Sequence, residues 1–125
     1  MLDAFAPLLD EWQGAGTFVG KPATARYRVE RALNGRFILL RYEALDAEGR
    51  VVFEGHGYYK AGGAGTWQDS QGNLYPVTWT GTGQGVNTEW NNGAGASQYQ
   101  REGEEFTVTD RARGKVFASF RLRRK

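Results

Sequence analysis

The sequence predicts an all-β chain: one single up-and-down antiparallel barrel of about ten strands with a short N-terminal helical segment, folded as one domain over residues 1–125. Three observations carry this prediction. Short runs of β-branched, aromatic and leucine residues recur along most of the chain, each bounded by Gly, Asn or Asp. The strand pairs are separated by loops of hairpin length, Asn34-Gly35 being the clearest. No amphipathic helix stands between any two strands, so parallel crossovers are excluded and neighbouring strands are expected to pair in sequence order.

The stretch Arg36–Lys60 is the centre of this reading. Phe37, Ile38, Leu39, Leu40 and Tyr42 form one strand and Val51, Val52, Phe53, Tyr58 and Tyr59 the next, joined by a four-residue turn Asp46-Ala47-Glu48-Gly49. A two-residue turn at Asn34-Gly35 sets Leu33 against Arg36, Val29 against Leu40 and Tyr27 against Tyr42. Counting across the Asp46–Gly49 turn sets Leu39 against His56 and Arg41 against Glu54.

Before this meander, Leu2, Phe5, Leu8 and Leu9 fall at helical spacing broken by Pro7, which predicts one or two short helical turns covering an open barrel end. Glu11–Val19 reads as the first strand, and Gly14 and Gly16 inside it mark close backbone approach where a barrel closes. Gly20-Lys21-Pro22 turns the chain into a second strand over 23–32. After the meander come Gly65–Ser70, a turn at Gln71-Gly72-Asn73, Leu74–Thr80, Gly85–Trp90, a loop at Asn91–Gly95, Ser97–Arg101, Glu105–Asp110 and Lys115–Arg123. Pairing within 81–104 is not set by the sequence, because glycine is too frequent there.

Composition narrows the function classes. Apolar residues make up 40% and aromatic residues 14%, so large rings on alternate strand positions must supply much of the buried area. The net charge of +2 comes from interspersed acids and bases, a solvated surface and not a nucleic-acid footprint. With no cysteine there is no disulfide, thiolate or common structural zinc site. Residues 1–9 lack the basic and long apolar regions of a signal peptide, and no run is long enough to span a bilayer, so a cytoplasmic, membrane-independent protein is expected. The Gly81–Gly85 stretch precedes a strand and lacks a Gly-Lys-Ser/Thr ending, so it is not a phosphate loop.

Several short motifs bear a family likeness. Glu11-Trp12-Gln13-Gly14-Ala15-Gly16 resembles the opening strand of calycin-like barrels, the lipocalins and fatty-acid-binding proteins, and its Trp-x-Gly-x-Gly core resembles that of nitrobindin-like haem barrels. Gly35-Arg36-Phe37, Glu54-Gly55-His56-Gly57-Tyr58 and Trp67-Gln68-Asp69-Ser70 resemble motifs of a bacterial lipocalin-like family of unassigned function. The resemblance implies a roughly ten-stranded barrel with an internal cavity. It does not carry haem with it: nitrobindin-like proteins use a histidine on a late strand, whereas the one histidine here, His56, sits mid-chain. No cofactor and no metal site are expected.

Continuing the count through an Ala61–Ala64 turn sets Tyr58 against Trp67 and His56 against Asp69. One face then gathers Glu30, Phe37, Leu39, Glu54, His56, Tyr58, Trp67 and Asp69; the other holds Tyr27, Val29, Ile38, Leu40, Tyr42, Val51 and Phe53. Strands two and three favour the second face as the interior, whereas Gly55, Gly57, Thr66 and Gln68 on the next two favour the first. A bulge in strand four, or burial of the apolar face in a homodimer, would reconcile them. By analogy with calycin cavities, the His56 face is taken as the cavity wall.

On that basis the ligand-binding residues are expected to be Trp12, Glu30, Arg41, His56, Tyr58, Trp67, Asp69 and Arg121. Arginines on a lumenal face would grip a carboxylate or phosphate; on an outer face Arg26, Arg28 and Arg41 would form a solvated charge ladder with Glu43 and Glu54. The function expected is binding or transport of a small, partly apolar ligand, with a small-molecule ligand and a homodimer as the partners considered. Two alternatives stand beside it: a small enzyme using His56 and Asp69 as an acid–base pair, and a ligand-free dimeric structural barrel. The residues favour a binding module over an enzyme, since no catalytic constellation is complete.

Overall fold

The structure, a computed structural model describing residues 2–125, is a closed antiparallel barrel of ten strands in strict sequence order. The strands are β1 (Asp10–Phe18), β2 (Lys21–Ala32), β3 (Phe37–Leu45), β4 (Val51–Lys60), β5 (Ala64–Asp69), β6 (Leu74–Gly81), β7 (Gly85–Trp90), β8 (Gly95–Glu102), β9 (Glu105–Ala112) and β10 (Lys115–Arg124). A 3-10 helix, Leu2–Leu8, precedes them. The expected architecture is therefore present, and strand bounds differ from the sequence reading by only a few residues. Among the described residues no helix is long and apolar enough to cross a membrane.

Closure occurs between β1 and β10, which pair from Trp12↔Arg124 to Phe18↔Ala118. The two glycines of β1 permit it. A Cβ at Gly14 would run into the Arg121 carbonyl and lie 2.9 Å from the Leu122 Cα; one at Gly16 would lie 2.8 Å from the Phe120 Cα. These are backbone atoms, so the obstruction could not be cleared by turning a side chain.

Turn chemistry sets the register. Asn34 and Gly35 both have positive φ, 61° and 76°, and Arg36 N donates to Leu33 O at 3.2 Å. This is the expected primed turn, and Tyr27↔Tyr42 and Val29↔Leu40 pair as the sequence indicated. The β3–β4 connection is longer than expected: Asp46 N donates to Arg50 O at 2.9 Å, and the register shifts by one residue beside Leu45↔Val51. A five-residue loop plus that one-residue bulge moves the pairing by two, so Arg41 faces His56 and Leu39 faces Tyr58. A shift of two changes the partners but leaves each side chain on its face.

The next connection does change faces. The loop between β4 and β5 has three residues, Ala61-Gly62-Gly63, and Lys60 pairs with Ala64. Trp67 and Asp69 therefore oppose Gly57 and Gly55, not Tyr58 and His56. This settles which face is interior, and corrects the choice of the His56 face. Tyr27, Val29, Ile38, Leu40 and Tyr42 are buried inside, Trp67 and Asp69 lie half-buried on the same face, and His56 and Glu54 lie exposed outside. The apolar strip of β2 and β3 is thus core and not a dimer surface.

One end of the barrel is sealed. Leu2, Phe5 and Leu8 of the 3-10 helix are buried, and Phe5 packs on Tyr59 and Trp79 with ring centroids 5.2 and 5.0 Å apart. Trp12 donates from Nε1 to Leu8 O at 2.9 Å, and Arg101 donates to Pro7 O at 3.0 Å. Arg101 and Arg124 also lie 5.2 and 5.3 Å from the Trp12 ring, a cation–π arrangement that adds about 0.5–2 kcal/mol per contact. Replacing Gly14 by Val is expected to lower stability by roughly 2 kcal/mol or more, because the closing strand must move away. A reduced urea midpoint, with loss of amide-exchange protection concentrated in β1 and β10, checks this.

Candidate functional site

The interior is not filled throughout. At the end away from the helix a cavity of about 330 Å³ opens beside the β1–β2 and β5–β6 connections, from which Val19, Gln71 and Asn73 line it. Phe18, Phe53, Tyr75, Trp90 and Phe117 surround its mouth, and Tyr42, Tyr59, Tyr99, Ser97 and Asp110 lie deeper. Its existence follows from a sequence pattern in which glycines oppose large rings. A Cβ at Gly55 would stand 2.6 Å from Cη2 of Trp67, and one at Gly57 would stand 2.7 Å from Cζ of Tyr59. A Cβ at Gly95 would overlap the Trp90 ring. The rings lie down over these glycines, lining the wall without crossing the lumen.

Across β7, β8 and β9 the register aligns three interior polar residues: Thr88 pairs with Ser97 and Ser97 with Asp110. All three are buried, at 2%, 4% and 6% exposure. Burial drives the Asp110 carboxyl up to about 6, with the Ser97 hydroxyl partly opposing the shift. The tyrosines Tyr27, Tyr42, Tyr59 and Tyr99 are held well above the ordinary phenol range, first by burial and further by neighbouring acidic groups. They therefore remain neutral hydrogen-bonding groups. Tyr42 stacks on Tyr27 at 4.5 Å, and its buried hydroxyl has no well-aligned hydrogen-bond partner.

Of the eight residues expected to bind ligand, the structure brings two into the cavity, Trp67 and Asp69. Asp69 is already engaged: it accepts from Trp67 Nε1 at 3.0 Å, from the backbone N–H groups of Gln71 and Asn73 at 2.9 and 3.3 Å, and from Asn73 Nδ2 at 3.2 Å. It shapes the β5–β6 turn at the rim. Trp12 is interior but serves the sealed end. Glu30, Arg41, His56, Tyr58 and Arg121 are on the outer face. Glu30 pairs with Arg28 at 3.3 Å, and Arg121 pairs with Glu105 at 2.7 Å.

The proposed His56–Asp69 acid–base pair is therefore not formed, since the two side chains lie on opposite faces of the sheet. Nor could His56 ligate a haem placed in the cavity. The outer groove around Arg26, Arg28, Arg41, Glu43, Glu54 and His56 is the solvated charge ladder, with Arg26–Glu43 and Arg28–Glu11 both at 3.6 Å.

Sequence reasoning missed Asp110, although the signal was present. In Glu105–Ala112 it falls in phase with Phe106 and Val108, so a strand that buries those two must bury the carboxyl as well.

A carboxyl whose native pKa is raised binds its proton more tightly folded than unfolded. Its cost is absent below the unfolded value near 3.8, grows as pH rises towards about 6, and is complete above that. Asp110→Asn is therefore expected to raise unfolding free energy at neutral pH by roughly 1–3 kcal/mol and to change it little near pH 4. Paired urea titrations at the two pH values check this. Comparison of the chain with protein-family models, curated proteins and solved structures finds no match to any of the three.

Proposed function

We propose that this barrel binds a small, partly apolar molecule in its cavity and acts as a carrier or sequestering module. The observation that supports the reading most is the combination of an open, aromatic-walled lumen with a set of polar groups at its depth. A barrel stabilised only as a scaffold gains from filling its interior; here about 330 Å³ is left open and buried hydroxyls converge on it. The volume lies at the lower end of small-molecule sites, which suits a compact ligand.

The mouth is consistent with this use. Val19, Val51, Val52, Leu74 and Val116 are exposed on connections or strand ends at the open end, giving an apolar lip over which such a ligand would pass. The likeness of the Glu11–Gly16 strand to calycin-like barrels supports the same reading, as do the short motifs resembling the lipocalin-like family of unassigned function. The reading requires neither a cofactor nor a metal, and assigns no catalysis.

Trp67 and Trp90 line the cavity, so intrinsic fluorescence reports its occupancy. Titration with a panel of small aromatic and aliphatic compounds, cationic, neutral and anionic, is expected to give saturable quenching or a spectral shift with at least one class. Ala112→Trp, which fills the lumen near its mouth, should weaken that response by about tenfold or more, whereas His56→Ala on the outer face should leave it unchanged. A folded protein whose tryptophans respond to no class would count against the proposal.

A further inference from the structure

Asp110 is the interior group that the barrel's own stability does not explain. It is a buried carboxyl, offset by one serine hydroxyl, in a strand whose other interior residues include Phe106 and Val108. It belongs to an unusual charge inventory. The cavity lining contains two carboxyls, Asp69 and Asp110, and among the described residues no Lys, Arg or His. Asp69 has both oxygens occupied by the rim turn. The arginine that does enter the interior, Arg101, is engaged at the sealed end by Pro7 O and the Trp12 ring.

The remaining lining is rich in ring faces. Trp67, Tyr75, Trp90, Phe53 and Phe117 present π-systems to the same space, and such faces attract cations and not anions. A carboxylate ligand would meet two acids and no base. A protonated amine would meet at depth a carboxylate opposed only by the Ser97 hydroxyl, and aromatic faces along its body.

We propose that the cavity selects small organic cations, an aromatic or branched amine whose ammonium is held by Asp110 while its apolar part packs among Trp67, Tyr75 and Trp90. This rests on the ligand-binding reading above and adds the charge and class of the ligand. Facing Asp110 are Tyr27 of β2, Tyr42 of β3, Tyr59 of β4 and Tyr99 with Ser97 of β8, all neutral at ordinary pH. On β10 its partner is Ala118, which carries no charge. Asp110 is thus the group in this set whose charge changes near neutrality: anionic above about pH 6 and able to hold the cation, neutral below it.

The test uses three probes sharing one ring system, naphthylmethylamine, naphthylmethanol and naphthoate, titrated calorimetrically into the full chain. The amine is expected to bind at least about tenfold more tightly than the alcohol, with naphthoate weakest. Asp110→Asn should remove the preference for the amine while changing the alcohol little. Should that variant fail to fold, the wild type alone decides: amine affinity should fall between about pH 8 and about pH 5 while that of the alcohol holds. Naphthoate binding as well as or better than the amine would overturn the inference and leave the ligand-binding reading intact. An amine preference that survives Asp110→Asn, or that does not fall with pH, would overturn the assignment to Asp110. If none of the three binds, the inference fails, and silence across the wider fluorescence panel would then bring down the carrier reading as well.

Discussion

Closure between β1 and β10 is the constraint on which the rest of this molecule depends. An open ten-stranded sheet would leave two edges of unpaired N–H and C=O groups and no enclosed interior. Joining the edges removes both problems, but it brings two backbones closer than side chains allow. Gly14 and Gly16 are where that approach is made. Once the cylinder is shut, alternation along every strand divides the chain into inward and outward sets, and each later feature of the cavity is a consequence of that division.

Within the cylinder, rings and glycines perform complementary tasks. Gly55, Gly57 and Gly95 give up their own side chains so that Trp67, Tyr59 and Trp90 can lie along the wall. Residues of ordinary size at those positions would push the rings across the lumen or force the strands apart. The space left is bounded at depth by Tyr42, Tyr59, Tyr99, Ser97 and Asp110, while Asp69, Gln71 and Asn73 add polar groups to the aromatic rim.

Much of the architecture was legible in the sequence because turn residues and alternating hydrophobicity act locally. Asn34-Gly35 fixed the β2–β3 register, and the glycines of the first strand marked the seam. The site was far less legible, for a geometric reason. Whether Trp67 and Asp69 share a face with His56 depends on one residue in the Ala61–Gly63 loop, since an odd loop keeps odd-numbered residues on the face they held in the previous strand where an even one exchanges them. Counting four residues there put Asp69 beside His56 and turned the predicted wall outward. The hydrophobic pattern of β2 and β3 already opposed that choice, and it was the better guide because apolar burial is a larger energy than resemblance can weigh. Asp110 escaped notice because a single acid near Arg111 and Arg113 reads as surface charge until its phase with Phe106 and Val108 is followed.

The helical stopper at one end has a consequence for how any occupant would be read. With Phe5, Trp12 and Arg101 blocking that side, traffic is confined to a single doorway, so a guest must arrive head first and leave tail first. Discrimination is then strict for the chemical group that travels deepest and lenient for whatever trails behind it into solvent. Variation in the length of the guest would be tolerated at the threshold, and variation in its leading group would not.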